Sequence, residues 1–376
     1  MSISGKRVLI VGGGFSGMSA AITMRKRGAE VDLVEIDPGW RSYGAGISLG
    51  SATLRAFETL GVLDEFLRRG YGADGAELFT AAGHPIASLP TPRLARPDVP
   101  GAGAIMRPAL ANILAEATRA SGANVRLGAT FERIVPADGG VEVTFSDGAA
   151  GVYDLVIGAD GLNSKTRATV FPGAPAPRYT GQCVWRAVLP RADDVTRALM
   201  WLGPKVKAGV NPVSQDEMYL FVTEDRPNND RVDPKHFLST LSALMAPFTA
   251  PVMQFVKAKL GESSHIVYRP LEALLLPRPW SKGRIALIGD AVHATTPHLA
   301  SGACIGIEDA IVLADELASA ESPEQGLQAF EARRWERCRM VVENSVRLGE
   351  IEITGGDPAE HGRLMRDSIM ALAAPI

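Results

Sequence analysis

Residues 6–37 read KRVLIVGGGFSGMSAAITMRKRGAEVDLVEID, and the order of their parts decides the fold class. KRVLIVG is a short β-branched apolar run, the kind buried on both faces of a parallel sheet. A glycine turn follows, then a stretch with helical spacing as far as Gly28, and VDLVEID reads as a second strand. That succession is a βαβ unit, so the chain is α/β with a Rossmann-like beginning. Its turn satisfies G-x-G-x-x-G through Gly12, Gly14 and Gly17, with Phe15 and Ser16 between the last two. One glycine makes the tight turn, one lets a pyrophosphate approach the backbone, and one lets helix pack on strand. The helix start then offers free N–H groups and a positive dipole end to phosphates. Glu35 ends the second strand, placed to accept hydrogen bonds from an adenosine ribose. The unit predicts a dinucleotide site.

At 376 residues the chain exceeds the size at which one simple core is the default, which predicts two lobes. Its 39 Lys+Arg and 42 Asp+Glu give a net charge of −3, with no basic stripe to neutralise phosphates in series, so nucleic acid is not expected as a partner. Cys183, Cys304 and Cys338 match neither a C-x-x-C pair nor a zinc spacing. The amino end enters a strand with no leader pattern, and no run of eighteen uncharged apolar residues occurs. A soluble, cytoplasmic protein is the expectation, with no membrane partner.

Further along, GSATLRAFETLG and RPALANILAEATRASG have helical spacing and end at Gly61 and Gly122. Prolines and glycines crowd residues 71–103, where only short strands such as AELFT fit. VRLGATFERIVPADGGVEVTFSDG resembles a small antiparallel meander. QCVWRAVLP, EMYLFVT and SHIVYRP read as strands of one sheet, with helix near 233–260. After Ala320 a charged amphipathic helix is expected to lie on the first lobe.

Two further turns resemble the first in placing a glycine at the end of an apolar strand. IGADGLNSKTR (157–167) sets Asp160 before Gly161, and GDAVHATTPHLASGACIGIEDA (289–310) sets Asp290 after Gly289. Ligands sit at strand tips of a parallel sheet, so these acids are candidates to accept from hydroxyls of a ribose or ribityl chain. Either alone is an ordinary turn or N-cap aspartate; three such turns in one chain shift the balance toward ligand binding. The histidines of the third turn, His293 and His298, are five apart and separated by Pro297, so they share no helix face, and no metal site is expected.

In this order and spacing, over about 310 residues, the three turns resemble class A flavoprotein monooxygenases, the aromatic hydroxylases of the 4-hydroxybenzoate, salicylate and 6-hydroxynicotinate hydroxylase type. The resemblance implies a Rossmann-like FAD-binding domain of the GR2 type, an inserted mixed β-sheet substrate domain and a C-terminal helical segment. It implies FAD in an extended conformation. Gly12, Gly14, Phe15, Ser16 and Gly17 would face its pyrophosphate and Glu35 its ribose. Arg41 and Arg107 match arginines that reach the cofactor in relatives. Gly289 and Asp290 would meet the ribityl or pyrophosphate region, while Asp160 and Gly161 belong to a turn associated with both FAD and the nicotinamide cofactor. Pro297 would lie beside the isoalloxazine on the substrate side. Gly302 and Ala303, at the start of the helix carrying Glu308 and Asp309, would approach the flavin pyrimidine. Many relatives read Gly-Gln-Gly where this chain has Ala300-Ser301-Gly302, and Cys304 replaces a further glycine; backbone N–H groups do the work there, so flavin binding is expected to survive.

The implied division is 1–70, 101–172 and 275–320 for FAD, 71–100 and 173–274 for substrate, and 321–376 for the helical segment. The implied reaction is hydroxylation of a small aromatic or N-heteroaromatic ring through a flavin C4a-hydroperoxide, consuming NADH or NADPH and O2, in a monomer or homodimer. Candidate pocket residues are Pro297, Tyr219, Lys207, Asn211 and His298, with Lys207 suited to a carboxylate and Tyr219 to a phenol; Arg186 reads as structural. A reductase or dehydrogenase of the same fold, a hydroxylase of a larger polyketide or antibiotic ring, and a non-catalytic FAD- or NAD-binding protein stay open at this point.

Overall fold

The computed structural model describes residues 3–376. It begins with β1 (Arg7–Val11), α1 (Phe15–Lys26) and β2 (Glu30–Glu35), and β1 pairs in parallel with β2, Val8 opposite Val31 and Ile10 opposite Leu33. β3 (Gly46–Gly50), α2 (Ser51–Leu60), α3 (Leu63–Arg69), β4 (Tyr71–Ala73), β5 (Ala76–Thr80), β6 (Pro85–Leu89), β7 (Ala102–Met106) and α4 (Arg107–Ala120) follow. Next come β8 (Asn124–Leu127), β9 (Phe131–Ala137), β10 (Gly140–Phe145), β11 (Ala150–Tyr153), β12 (Leu155–Gly158) and the short α5 (Lys165–Val170). The second lobe contributes β13 (Arg178–Pro190), β14 (Ala198–Gly203), β15 (Val206–Pro212), β16 (Glu217–Asp225), α6 (Phe237–Met245), α7 (Pro251–Lys259) and β17 (Ile266–Ala273). The chain closes with β18 (Ser281–Lys282), β19 (Ile285–Leu287), the one-turn α8 (Asp290–His293), α9 (Gly302–Ser319), α10 (Pro323–Thr354) and α11 (Pro358–Ala373).

The first sheet has the order β18-β19-β12-β1-β2-β8, parallel from β19 to β8. Its strands are apolar on both faces because both are covered. Val8, Ile10, Leu155 and Ile157 pack with Ala20, Met24, Ile305 and Val341 of α1, α9 and α10, while Leu9, Val11 and Val156 pack with Phe131, Val141, Val143 and Phe145 of the β9-β10-β11 meander. The meander begins later than the sequence pattern suggests. Residues 124–127 instead add β8 to the edge of the parallel sheet beside β2, a choice that alternation alone does not make.

The second sheet has the order β17-β13-β16-β15-β14-β5-β6 and is mixed, since β14 pairs with β5 in parallel and the other pairs are antiparallel. One face carries Trp185, Leu189, Trp201, Ala208, Val210, Leu220 and Val222 against Leu241, Met245, Met253 and Val256 of α6 and α7. The other face turns toward β3 and β7, where Tyr219 and Val213 pack with Ala104. The carboxyl-terminal helix is longer than a lobe cover. α10 packs along α9 and reaches β13, and α11 folds back on it after Gly355.

Candidate active site

β19, β12 and β1 are adjacent strands of the parallel sheet, so the three glycine-containing turns leave it side by side on its carboxyl edge. In the first turn, a β-carbon at Gly12 (φ 103°) would lie 2.5 Å from the Ala159 carbonyl oxygen, and one at Gly17 would overlap the Gly12 carbonyl oxygen. Those two glycines close the turn against its neighbours. Gly14 differs, because a β-carbon there would meet nothing within 4 Å. Gly14 is the N-cap of α1 with no side-chain cap, so the helix's first N–H groups and positive dipole end face that open space. Ser16 Oγ fills the space beside Gly289 and Gly306, locking α1 to the third turn and to α9.

Glu35 lies across the first turn. Its Oε2 accepts from the Gly13 N–H at 2.7 Å and its Oε1 from the Asp37 N–H at 2.8 Å, and Trp40 Nε1 donates to the Gly13 carbonyl at 2.8 Å. Arg41 is exposed and forms a two-point pair with Asp37, at 3.0 and 2.9 Å. Arg107 is half-buried, with its guanidinium 5.2 Å from the centre of the Phe15 ring.

Asp160 has both oxygens engaged within the second turn, accepting from Ser164 Oγ at 2.5 Å and from the Thr166 N–H and Oγ1 at 2.8 and 2.9 Å, beside Gly161 (φ 77°). Arg167 ties this turn to the third by donating to the Leu162 and Ala291 carbonyls at 2.8 and 2.9 Å. Asp290 starts α8 with its side chain open to solvent; the protein crowded round it pushes its pKa up, opposed by the charges of His293 and Arg107. Pro297 begins a 3-10 turn, Ala300 takes a left-handed conformation (φ 49°), and α9 begins with Gly302 and Ala303 half-exposed. Ser301, its N-cap, turns its hydroxyl to the Leu299 carbonyl at 2.7 Å instead of capping the helix. The leading N–H groups of an 18-residue helix are therefore unclaimed by any cap side chain.

The second sheet's inner face stands in register rows. Val188, Tyr219 and Asn211 form one; Arg186, Phe221 and Gly209 the next; Val184, Thr223 and Lys207 the third. Directly opposite residues share a face, and the intervening Trp185, Ala208, Leu220 and Val222 are those buried under α6 and α7. Asn211 Nδ2 donates to Ser48 Oγ of β3 at 3.0 Å, and the Tyr219 hydroxyl bonds the same oxygen. Lys207 Nζ meets Glu352 Oε1 of α10 at 2.5 Å. His298 is buried, its Nδ1 2.9 Å from Thr296 Oγ1 and its Nε2 3.4 Å from Glu352 Oε2. Burial pushes the His298 pKa down. Burial would raise that of Glu352, but Lys207 and the histidines hold it well below the carboxylate range. Lys207 and His298 thus meet on one carboxylate that sequence reasoning did not single out.

His293 serves a different purpose from His298. It is fully buried with Nε2 2.5 Å from Asp309 Oδ2, while Asp309 Oδ1 accepts from Arg334 Nε at 2.8 Å and Oδ2 from the Gly289 N–H at 2.9 Å. Burial alone would strip the histidine of charge, yet Asp309 holds its pKa well above the ordinary value; the same contact outweighs burial at Asp309 and lowers it to about 2. His293, Asp309 and Cys338 have ligand atoms within 4.8 Å of one another, a spacing that suits a metal. The Arg334 guanidinium, bonded to Asp309 and 3.5 Å from Cys338 Sγ, supplies the cation there.

The profile of the FAD binding domain family matches residues 6–345. The chain belongs to that family. It is 32% identical to the aurachin C monooxygenase/isomerase of Stigmatella aurantiaca over 93% of this chain and 90% of that protein. It is 31% identical to the 2-heptyl-3-hydroxy-4(1H)-quinolone synthase of Pseudomonas aeruginosa, over 92% and 89%. Its fold is that of Klebsiella pneumoniae HpxO in complex with FAD and uric acid, with a TM-score of 0.84, 24% identity, and 98% and 97% of the two chains covered. Relatives of this kind do not favour the reductase alternative.

The residues present fit FAD. Gly14 is a glycine that protein packing does not require, beside an uncapped helix start suited to a pyrophosphate, and the half-buried Arg107 has no carboxylate within ion-pair distance among the described residues. The uncapped start of α9 offers a second set of donors on the same edge. Sequence reasoning missed Ser48, Arg167 and Glu352. Arg167 closes the second turn without any signal of its partner, Ser48 and Glu352 lie outside the three turns, and each acts on a residue more than one hundred positions away.

Proposed function

We propose that the chain is a FAD-dependent, NAD(P)H-consuming monooxygenase that hydroxylates a small aromatic or N-heteroaromatic ring. The observation that carries this reading is the meeting of two surfaces: the edge with the three turns and two uncapped helix starts, and a polar sheet face whose Tyr219 and Asn211 bond Ser48 of β3 and whose Tyr219, like Asp290 of the third turn, acts on the charge of Arg107. The quinolone relative points to an oxygen-bearing nitrogen heterocycle. Bound FAD would supply electron transfer from the nicotinamide cofactor and activation of O2. The chain's own share is to bind, orient and exclude water.

In this reading Gly12, Gly14, Phe15, Ser16 and Gly17 hold the pyrophosphate at the start of α1, Glu35 meets the ribose, and Asp290 and Arg107 flank the ribityl chain. Gly302 and Ala303 present α9 to the flavin ring, where a positive dipole end stabilises negative charge. Pro297 sets the substrate side, and Tyr219 with Asn211 walls the ring pocket through Ser48. Lys207 and His298 act as positioning residues through Glu352. FAD segments 1–70, 101–172 and 275–320, substrate segments 71–100 and 173–274, and a helical segment 321–376 complete the assignment, in a cytoplasmic monomer or homodimer. Among the described residues no helix is long and apolar enough to cross a membrane.

The test is NADH and NADPH consumption by FAD-loaded protein against hydroxybenzoates, hydroxypyridines, 4-quinolones and larger phenolics, with hydrogen peroxide and oxygenated product measured together. A compound that accelerates oxidation and is recovered hydroxylated supports the reading. Substrate turnover that proceeds equally well without oxygen contradicts it.

A further inference from the structure

α10 carries a glycine in its interior, Gly349, three positions before Glu352, so the two lie on one face of the helix. Glycine is, after proline, the poorest helix former, and Gly349 is buried with no left-handed backbone to require it. A neighbour requires it instead. A β-carbon there would lie 3.0 Å from His298 Cε1, 3.3 Å from His298 Nε2 and 3.1 Å from Gln182 Oε1. The His298 ring therefore sits in a notch on α10, with the Glu352 carboxylate at its edge, 3.4 Å from Nε2. The second sheet is shaped for the same helix. β13 breaks register with β17 between Tyr179 and Cys183, and there Gly181 takes a left-handed conformation (φ 88°), where a β-carbon would lie 3.2 Å from Ile353 Cδ1.

The third turn, the second sheet and α11 all meet at this seat. His298 directly follows Pro297, and its Nδ1 is 2.9 Å from Oγ1 of Thr296, on the other side of that proline. Lys207 belongs to the inner sheet face and reaches Glu352 Oε1. Gln182 Nε2 donates to Asp225 Oδ1 at 3.1 Å and to Glu352 Oε2 at 3.4 Å, and His361 of α11 lies 3.2 Å from Glu352 Oε1. The third turn is also tied just beyond β17, where the Leu274 and Leu276 N–H groups donate to the Ala294 and Val292 carbonyls at 2.9 and 2.7 Å. Those bonds fix the start of the turn. The seat on α10 fixes Thr296 and His298, which bracket Pro297.

We propose that the Gly349–Glu352 seat positions Pro297 against the inner sheet face, and that this fit decides how well water is kept from the ring system lying between them. The inference rests on the monooxygenase reading for what occupies that gap. Gly349 and Glu352 are positioning residues, acting through His298 and Lys207. In the coupled reaction one NAD(P)H and one proton reduce O2, one oxygen atom enters the ring and the other leaves as water. In the leak the same two electrons and two protons leave with O2 as hydrogen peroxide, and the ring is unchanged. A well-fitted seat favours the first outcome.

Gly349→Ala is the sharpest test, because it changes no charge, improves helix propensity and intrudes only on the seat. Iodide quenching of flavin fluorescence in the FAD-loaded protein reads how open the flavin is to solvent, and needs neither substrate nor turnover. Gly349→Ala and Glu352→Gln should each raise the quenching constant while FAD affinity stays unchanged. With a substrate that is hydroxylated, both should raise the ratio of hydrogen peroxide to product about 3- to 10-fold, a fraction of the roughly 100-fold effect of a 1 Å misplacement. Glu350→Gln, exposed on the same helix, should match the wild type in both measurements. Wild-type quenching in either seat variant, a loss of FAD affinity in either, or a Glu350→Gln protein as open as Glu352→Gln would each overturn the inference. Raised quenching in both seat variants of a protein that oxygenates nothing would refute the monooxygenase reading and leave the seat standing.

Discussion

Gly14 and Gly17 stand three positions apart in one motif and are glycines for different reasons. Gly17 is required by protein contacts, since a β-carbon would overlap the Gly12 carbonyl oxygen, whereas Gly14 borders open space with an extended backbone (φ −73°, ψ −178°) that any residue adopts. Gly17→Ala should therefore destabilise the fold by about 1–3 kcal/mol through overpacking. Gly14→Val should leave stability within about 0.5 kcal/mol while lowering FAD affinity about tenfold or more. Denaturant midpoints and fluorescence titration with FAD separate the two; a Gly14→Val protein that binds FAD normally would remove the pyrophosphate from that position. At Lys207 the residue-scale argument concerns charge. Lys207→Met strips the half-buried Glu352 of its closest cation and leaves it only the two histidines, which should cost about 1–2 kcal/mol. Adding Glu352→Gln should restore part of it, and a double-mutant cycle measures the coupling. A single substitution without effect on the melting temperature would show that the pair holds nothing together.

Among the elements, α10 joins α9, α11, β13 and the third turn. Its Arg334 pairs with Glu308 and Asp309 of α9, and its Glu352 gathers Lys207 of β15, His298 of the third turn and His361 of α11. The sequence pattern read α10 as a charged amphipathic cover for the first lobe. Its charges are in fact divided between solvent and two buried networks, which periodicity does not distinguish. The first network makes a pH prediction. The folded pKa of His293 lies above its unfolded value near 6.5, so its contribution to stability is complete below pH 6.5 and fades as pH rises through the folded value. The folded pKa of Asp309 lies below its unfolded value of 3.8, so its contribution is complete above 3.8 and fades as pH falls through about 2. His293→Leu breaks the pair and should cost about 3–5 kcal/mol at pH 6, with the deficit shrinking as pH rises. Urea midpoints of both proteins from pH 6 to 9 check this; a deficit that grew with pH would contradict a protonated His293.

Across the whole molecule, what was legible in the sequence followed the range of the interactions concerned. The three turns are local, each a strand ending in glycine, and their order was enough to indicate FAD and the family. That they leave adjacent strands follows from the order β19-β12-β1, a long-range fact. The polar face of the second sheet was legible only as a list of strands. Which side chains share a face depends on register, and a slip of one residue reverses every side chain. The rows through Tyr219, Arg186 and Lys207 settle it, and with it the contrast between Lys207, answered by Glu352, and Arg186, which has no hydrogen-bond or ion-pair partner among the described residues. Glu352 stands 145 positions from Lys207, and nothing in the composition of α10 marked it. Bound as proposed, across three turns and two helix starts, FAD should stabilise the folded chain by mass action, about 2.7 kcal/mol at a hundredfold excess over Kd, seen as a melting temperature that rises with FAD concentration.

The central claim is that oxygen from O2 enters an aromatic ring held between these two surfaces. The most direct test is turnover of the best substrate under isotopically labelled O2, with the product analysed by mass spectrometry. One labelled oxygen atom per hydroxylated product, matched to one NAD(P)H consumed, is the predicted result. A product carrying no label, or one formed equally well without oxygen, would contradict the account.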